Sequence, residues 1–199
     1  MDYDTERLKK LFTEHNGLMS WKQLLSSGVT KHTAVTELRA GVLRRECHGL
    51  YSLTVLPPDR YCLVQARSGK VIFSHATALF LLGYLENEPE KIDITVPQGC
   101  NVTRLLNEFR DIRIHYCRKA VFQAGRTAVA ALSGFFVSCY ELERSVCDMI
   151  RSRDETDRRV WKAVFRKHYP ISCSGEKLKF YAEVLRAGEA AEAYLELMV

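Results

Sequence analysis

Between residues 31 and 48 the chain carries a set of polar side chains suited to nucleic acid: Lys31, His32, Thr33, Thr36, Glu37, Arg39, Arg44, Arg45 and His48. Hydroxyl, imidazole and guanidinium groups can hydrogen-bond to base edges, and Glu37 can accept from a cytosine amine. Lys31, Arg44 and Arg45 have the charge that phosphates favour. The plainer alternative is a small helical module that docks on protein and merely solvates these charges.

The spacing of the neighbouring apolar residues places these groups. Ser20 is a helix N-cap with Gln23 three residues on, the pattern of a capping box, and Trp21, Leu24 and Leu25 are the apolar residues of that short helix. Ser26-Ser27-Gly28 stops it. Thr30 offers a second N-cap, and Ala34, Val35 and Leu38 recur at helical spacing up to Gly41. With those three inward, Thr33 and Thr36 point most directly outward, flanked by His32, Glu37 and Arg39. Leu43, Cys47, Tyr51 and Leu53 then form the buried side of two short strands turning at His48-Gly49. A first helix over residues 4–15, with Leu8, Leu11 and Phe12 on one side, completes a three-helix core. Helix, turn, helix and basic hairpin is the order of a winged helix-turn-helix, whose second helix enters a major groove.

Other chemistries find less support. His75 at a helix start, His115 on a strand, and His32 and His48 have no partner at zinc-finger or HExxH spacing. There is no nucleophile elbow and no phosphate-cradling glycine loop. Asp93 with Glu141 and Glu143 suggests a metal-dependent nuclease only if their spacing is fixed, and a solvated strand face explains Asp93 equally well. No catalytic residue, metal or cofactor is predicted.

The 199 residues suffice for two small domains. With 47% hydrophobic and 27% charged residues the composition is that of a soluble globular protein. The net charge of +5 is compatible with a polyanion partner without requiring one. No apolar run is long enough to span a bilayer, and the polar start MDYDTERLKK is unlike a signal peptide. The 7 cysteines are scattered without a CxxC pair, as in a cytoplasmic protein with reduced thiols.

Pro57-Pro58-Asp59 marks the expected joint, giving a DNA-binding domain over 1–56 and a mixed α/β domain over 57–199 that ends in helices: an α+β protein. In the second part, Tyr61 to Ala66 reads as a helix and Lys70 to Phe73 as a strand. Ser74 caps a helix that is apolar almost all round. Ile92, Ile94 and Val96 alternate with Asp93 and Thr95 in a strand with one buried face. Residues 101–109 read as helix, and Ile112, Ile114 and Tyr116 as strand. A hairpin turns at Ser133-Gly134, and helices cover 141–152, 155–168 and 175–197, the last breaking near Gly188. Within 151–168, Val160, Trp161, Val164 and Phe165 make a buried stripe. Arg158, Arg159, Lys162 and Arg166 remain for a second polyanion contact or a solvated face.

The segment GVLRRECHGLYSL, followed by FSHATALFLLGYLENEP and KIDITVPQG, resembles the AbiEi family, the antitoxins of type IV toxin–antitoxin systems linked to abortive phage infection. The likeness covers most of residues 5–160. CYELERSVCDMIR resembles a further family segment, with Ser145 ahead of Asp148 where the family usually has Thr. The resemblance implies a winged helix that binds operator DNA in the chain's own promoter for autoregulation. It further implies a C-terminal domain that counteracts a nucleotidyltransferase-like toxin, without requiring direct contact. Such a toxin needs a Gly-Ser turn followed by paired carboxylates for Mg²⁺, whereas Ser133-Gly134 and Ser174-Gly175 have the reverse order. The expectation is therefore a non-catalytic, cytoplasmic antitoxin and transcriptional autorepressor. The alternatives are a stand-alone regulator without a toxin and, more distantly, an enzyme acting on nucleic acid.

Overall fold

The computed structural model describes residues 3–152, 158–164 and 173–188. The chain is an α+β protein of two compact units, residues 1–69 with 130–137, and residues 70–129 with 138–199. The division therefore falls after Gly69, not at Pro57-Pro58-Asp59. Helix α4 (Arg60–Arg67) belongs to the first unit, and Asp59 shows why the prolines do not end it. One Asp59 carboxylate oxygen caps α4 through the amides of Tyr61 and Cys62. The other accepts from the Ser133 amide at 2.7 Å and its hydroxyl at 3.0 Å, which ties residues 130–137 to the same unit.

The first unit begins with α1 (Tyr3–Glu14), β1 (Met19–Ser20), α2 (Trp21–Ser26) and α3 (Lys31–Arg39). Strands β2 (Leu43–Cys47) and β3 (Leu50–Leu53) follow, and the antiparallel sheet has the order β1-β3-β2. The expected capping box is present: the Gln23 amide donates to Ser20 Oγ at 3.2 Å, and the Ser20 amide to Gln23 Oε1 at 2.8 Å. Leu8, Phe12, Met19, Leu24, Ala34, Leu43 and Leu53 make one buried cluster. Of the three apolar residues of α2, Leu24 is buried and Trp21 packs partly buried against the cluster, while Leu25 is 39% exposed. In the hairpin, Leu43 and Leu53 are buried as expected, but Cys47 and Tyr51 are only half-buried. A bulge between Arg45 and Cys47 interrupts the alternation there.

The second unit is built on a five-stranded mixed sheet, of order β6-β5-β4-β8-β7. Its elements are β4 (Ile72–Phe73), α5 (His75–Leu81), β5 (Ile92–Pro97), α6 (Thr103–Glu108) and β6 (Ile112–Cys117), then β7 (Arg126–Ala130) and β8 (Phe136–Tyr140). Helices α7 (Leu142–Arg151), α8 (Arg158–Ala163) and α9 (Gly175–Leu185) complete the described part. β5 and β6 are parallel, as their α6 crossover requires, and β4 runs antiparallel to β5 but parallel to β8. Ala76, Leu79, Val146, Met149, Leu178 and Ala182 are part of the core shared by α5, α7 and α9. α9 ends at Leu185, close to the break expected at Gly188, where Arg186 takes a left-handed conformation (φ 59°) and caps the helix; residues 189–197 of the expected helix lie outside the described residues.

One expectation fails in an informative way. β5 is buried on both faces, with Asp93 3% and Thr95 2% exposed, so Asp93 is no solvated strand residue. Its face of the sheet meets polar partners from α5 and β6, described below. Among the described residues no helix is long and apolar enough to cross a membrane. All seven cysteines are free thiols.

Candidate nucleic-acid interface and a buried polar centre

Helix α3 is positioned from both ends. At its start the Thr30 side chain accepts from the Thr33 amide at 3.1 Å, and the two threonine hydroxyls lie 2.8 Å apart. At its end the Val42 amide donates to Glu37 O at 3.0 Å, and Thr54 Oγ1 donates to Gly41 O at 2.6 Å, pinning the helix to the hairpin. Ala34 is fully buried, while Leu38 packs against the core from a half-buried position. Val35 is half-buried.

These contacts leave Lys31, His32, Thr36 and Arg39 exposed. Thr33 and Glu37 differ from expectation: both are half-buried, Thr33 because its hydroxyl is engaged with the cap. The outward face of α3 is therefore carried by Thr36 with the three basic or imidazole groups.

The hairpin carries Arg44, Arg45 and His48, all exposed. Their engagements differ. Arg44 holds the Glu46 carboxylate through Nε at 2.9 Å and Nη2 at 2.7 Å. Ser52 donates a short hydrogen bond to the same carboxylate. Burial pushes the Glu46 carboxyl up, but the Arg44 and Ser52 hydrogen bonds outweigh it and hold the group below its ordinary range. Arg45 instead reaches along the turn, its Nη2 donating to His48 Nδ1 at 3.0 Å. A guanidinium has only donors, so Nδ1 is the acceptor and the His48 proton resides on Nε2. The turn is braced from α4 by Arg67, which donates to His48 O at 3.0 Å.

The second polyanion contact receives little definition. Lys162 is exposed on α8. The side chains of Arg158 and Arg159, and all of Arg166 and Phe165, lie outside the described residues. Of the stripe behind them, Val164 is buried, and Val160 and Trp161 pack partly buried against the core.

The second unit holds a polar centre that local sequence patterns do not show. His75 opens α5 with φ 51°, a left-handed conformation uncommon outside glycine, and is 5% exposed. Its ring stacks on His115 of β6, with centroids 3.6 Å apart and 17° between planes. His75 Nδ1 lies 2.9 Å from Ser74 Oγ and Nε2 lies 3.1 Å from Ser152 Oγ. Thr95 donates to Ser74 Oγ at 2.9 Å, which extends the chain of hydrogen bonds to β5. Burial first, then the charges of His115, Arg113, Arg144 and Arg151, push the His75 pKa well below the ordinary imidazole value. Ser74 is thus the N-cap of α5 by position, yet its hydroxyl makes no capping bond and serves this chain of hydrogen bonds instead.

Asp93 anchors the other side of the stack. Its Oδ1 accepts from His115 Nε2 at 3.0 Å and lies 3.5 Å from Arg113 Nη1, and its amide donates to Thr77 Oγ1 at 2.8 Å. On α7 the fully buried Arg144 donates from Nε to Asp148 at 3.0 Å and from Nη1 to the carbonyls of Val121 and Ala124. Its guanidinium lies 4.1 Å from the Tyr140 ring centroid. Ser145 is buried too and donates to Tyr140 O at 3.3 Å. Glu141 and Glu143, weighed as metal ligands with Asp93, are engaged elsewhere: Glu141 with Lys177 and Tyr181, and Glu143 with the Ser174 amide. Among the described residues no three His, Cys, Asp or Glu side chains converge as a metal ion would need. Burial pushes the Cys62, Cys139, Cys147 and Cys173 thiols up to about 12, so none is a ready nucleophile.

No family model matches the chain. No curated protein matches it either. Among solved structures, it is similar to the RV2827C protein from Mycobacterium tuberculosis. The identity is 18% and the TM-score 0.63, over 96% of this chain and 75% of that one. At that identity the likeness concerns the fold alone.

Proposed function

We propose that the chain is a winged-helix DNA-binding protein that represses its own promoter and acts as the antitoxin of a type IV toxin–antitoxin system. The observation that carries the DNA-binding part is the pairing of two exposed surfaces on one unit. Helix α3 offers Lys31, His32, Thr36 and Arg39, and the hairpin pinned to its end offers Arg44, Arg45 and His48. In this reading α3 enters the major groove, with Thr36 and Arg39 at base edges and Lys31 and His32 near its mouth. The hairpin is the wing, and Arg45 meets phosphate most readily because its present partner is a neutral imidazole rather than a carboxylate.

The antitoxin part rests on the resemblance of the sequence to the AbiEi family. A reporter driven by the chain's own upstream DNA tests the first part. Expression of the wild type lowers the reporter, and a Thr36→Ala/Arg39→Ala variant restores it. Equal reporter levels with and without the protein exclude autorepression. The second part is tested by co-expression with a nucleotidyltransferase-like reading frame beside the gene. Rescue of growth supports it, and absence of such a frame leaves a stand-alone regulator.

A further inference from the structure

The polar centre of the second unit opens into two adjoining hollows, of about 230 Å³ and about 260 Å³, both lined by Tyr116, Cys117 and Arg151. Small-ligand clefts run from about 300 Å³ upward, a size the pair reaches together. The inner hollow presents Thr95, His115 and Ser152. The outer one adds Arg118 and Arg186. We infer that this groove is a binding site for a nucleoside phosphate, with Arg118, Arg151 and Arg186 on the phosphate, Tyr116 against the base, and the inner hydroxyls and imidazole on the sugar.

Charge argues for an anion. Among the described residues, three arginines line the groove against one carboxylate, Asp148, and that carboxylate already accepts from buried Arg144 at 3.0 Å. Arg151 Nη1 stands 4.0 Å from Asp148, beyond hydrogen-bonding distance, and 42% of its side chain is exposed. Arg118, which lines the groove, donates from Nη2 to Val184 O at 3.0 Å, and this holds the guanidinium in place. Arg186 sits in its left-handed cap position at the end of α9, exposed. Behind the groove, Arg144 Nη2 is buried with no hydrogen-bond partner among the described residues, while its Nε holds Asp148. Guanidinium groups suit phosphate because their planar forks match its oxygens.

The aromatic and polar parts argue for a nucleoside on that phosphate. Tyr116 is 51% exposed although it lies on a sheet strand, and it shares both hollows with Arg151. An exposed ring beside arginines is the arrangement on which bases stack. The inner hollow is rich in groups that both donate and accept, as sugar hydroxyls require, and the Asp93–His115 and His75–Ser152 bonds hold its walls. Phosphate alone would use only the outer half.

The shared chemistry can come from a free nucleotide or from the phosphorylated end of an RNA strand. Calorimetric titration of the full-length protein tests both, using AMP, UMP, inorganic phosphate, adenosine and a 5′-phosphorylated RNA tetranucleotide. The expected result is saturable binding of a nucleotide or of the tetranucleotide, tighter than phosphate or adenosine alone. Arg151→Gln and Tyr116→Ala should each weaken it about tenfold or more, with thermal melting unchanged. The tighter of the two arms identifies the source, and either upholds the site. Arg45→Ala, on the separate DNA surface, should leave it unmoved, so loss of DNA binding and loss of this site are distinguishable. No binding at millimolar ligand, binding unaffected by both groove substitutions, or phosphate binding as tightly as the nucleotides would overturn the inference.

Discussion

Arg44 and Glu46, two residues apart on one strand, form a two-point ion pair through Nε at 2.9 Å and Nη2 at 2.7 Å, and Ser52 donates to the same carboxylate. Arg44 is therefore not a free cation for DNA, although it is exposed, while among the described residues Arg45 beside it pairs with the His48 imidazole and with no carboxylate. The two arginines, equivalent in the sequence, should behave differently. Arg45→Ala is expected to lower the slope of log affinity against log salt by about 0.9, the value of one phosphate contact. Arg44→Ala should lower it by less than half as much. Anisotropy titrations on one duplex at several salt concentrations check this, and equal slopes for the two variants would contradict it.

Glu46→Gln follows from the same pair. The amide can still accept from Ser52 but no longer neutralises Arg44, so nonspecific DNA affinity should rise about two- to tenfold at low salt and the gain should fade at high salt. Electrophoretic mobility shifts with a random duplex read the change directly. Weaker binding than wild type would mean that Glu46 positions the hairpin rather than masking Arg44.

Glycine substitutions separate backbone strain from crowding in the first unit. Gly17 and Gly49 have φ of 76° and 78°. A Cβ on Gly17 would run into the Phe135 ring, whereas one on Gly49 meets nothing within 4 Å. Gly49→Ala should cost about 1–2 kcal/mol, the penalty of the left-handed conformation alone. Gly17→Ala should cost about 1–3 kcal/mol more, from overpacking. Urea denaturation of both variants tests the difference, and equal losses would remove the crowding term.

His75 makes the stability of the second unit depend on pH. Its pKa in the folded protein lies well below the ordinary 6.5, through burial and then the charges of His115, Arg113, Arg144 and Arg151. Above pH 6.5 the ring is neutral in both folded and unfolded chains, and its contribution is fully present. As pH falls below that value the unfolded chain takes up a proton that the folded one refuses, so stability declines. His75→Gln should flatten the decline between about pH 6.5 and 5, a window above the range in which the carboxylates Glu46 and Glu141 titrate. Thermal melts across that window measure it, and an unchanged pH profile in the variant would contradict the burial of a neutral imidazole.

What the sequence discloses divides along the range of the interactions. The Ser20–Gln23 capping box and the Thr30 cap are legible because three residues contain the whole interaction. The same cap engages Thr33, which the outward-facing pattern alone assigns to a groove. Asp93 and Thr95 read as solvated because alternation reports polarity, not partners. The partners are His115, twenty-two residues further on, and Ser74, twenty-one residues before. Likewise Asp59 reads as the end of a domain, when its carboxylate binds Ser133 seventy-four residues away. The histidine stack has no local signal at all. One indirect sign was available: polar residues within the otherwise apolar segments Ser74 to Leu82 and Ile92 to Val96, which packing can tolerate only if they meet one another.

The most direct measurement is a salt titration of wild-type binding to the chain's own upstream DNA beside a scrambled duplex of equal length, repeated with Arg45→Ala and with Thr36→Ala/Arg39→Ala. A winged helix reading its operator predicts tighter binding to the upstream duplex at every salt concentration. Arg45→Ala should then weaken both duplexes alike with a shallower slope, while Thr36→Ala/Arg39→Ala should abolish the preference. Equal and negligible binding of the wild type to both duplexes would contradict it, and would make the exposed face of α3 and its hairpin a surface for something other than DNA.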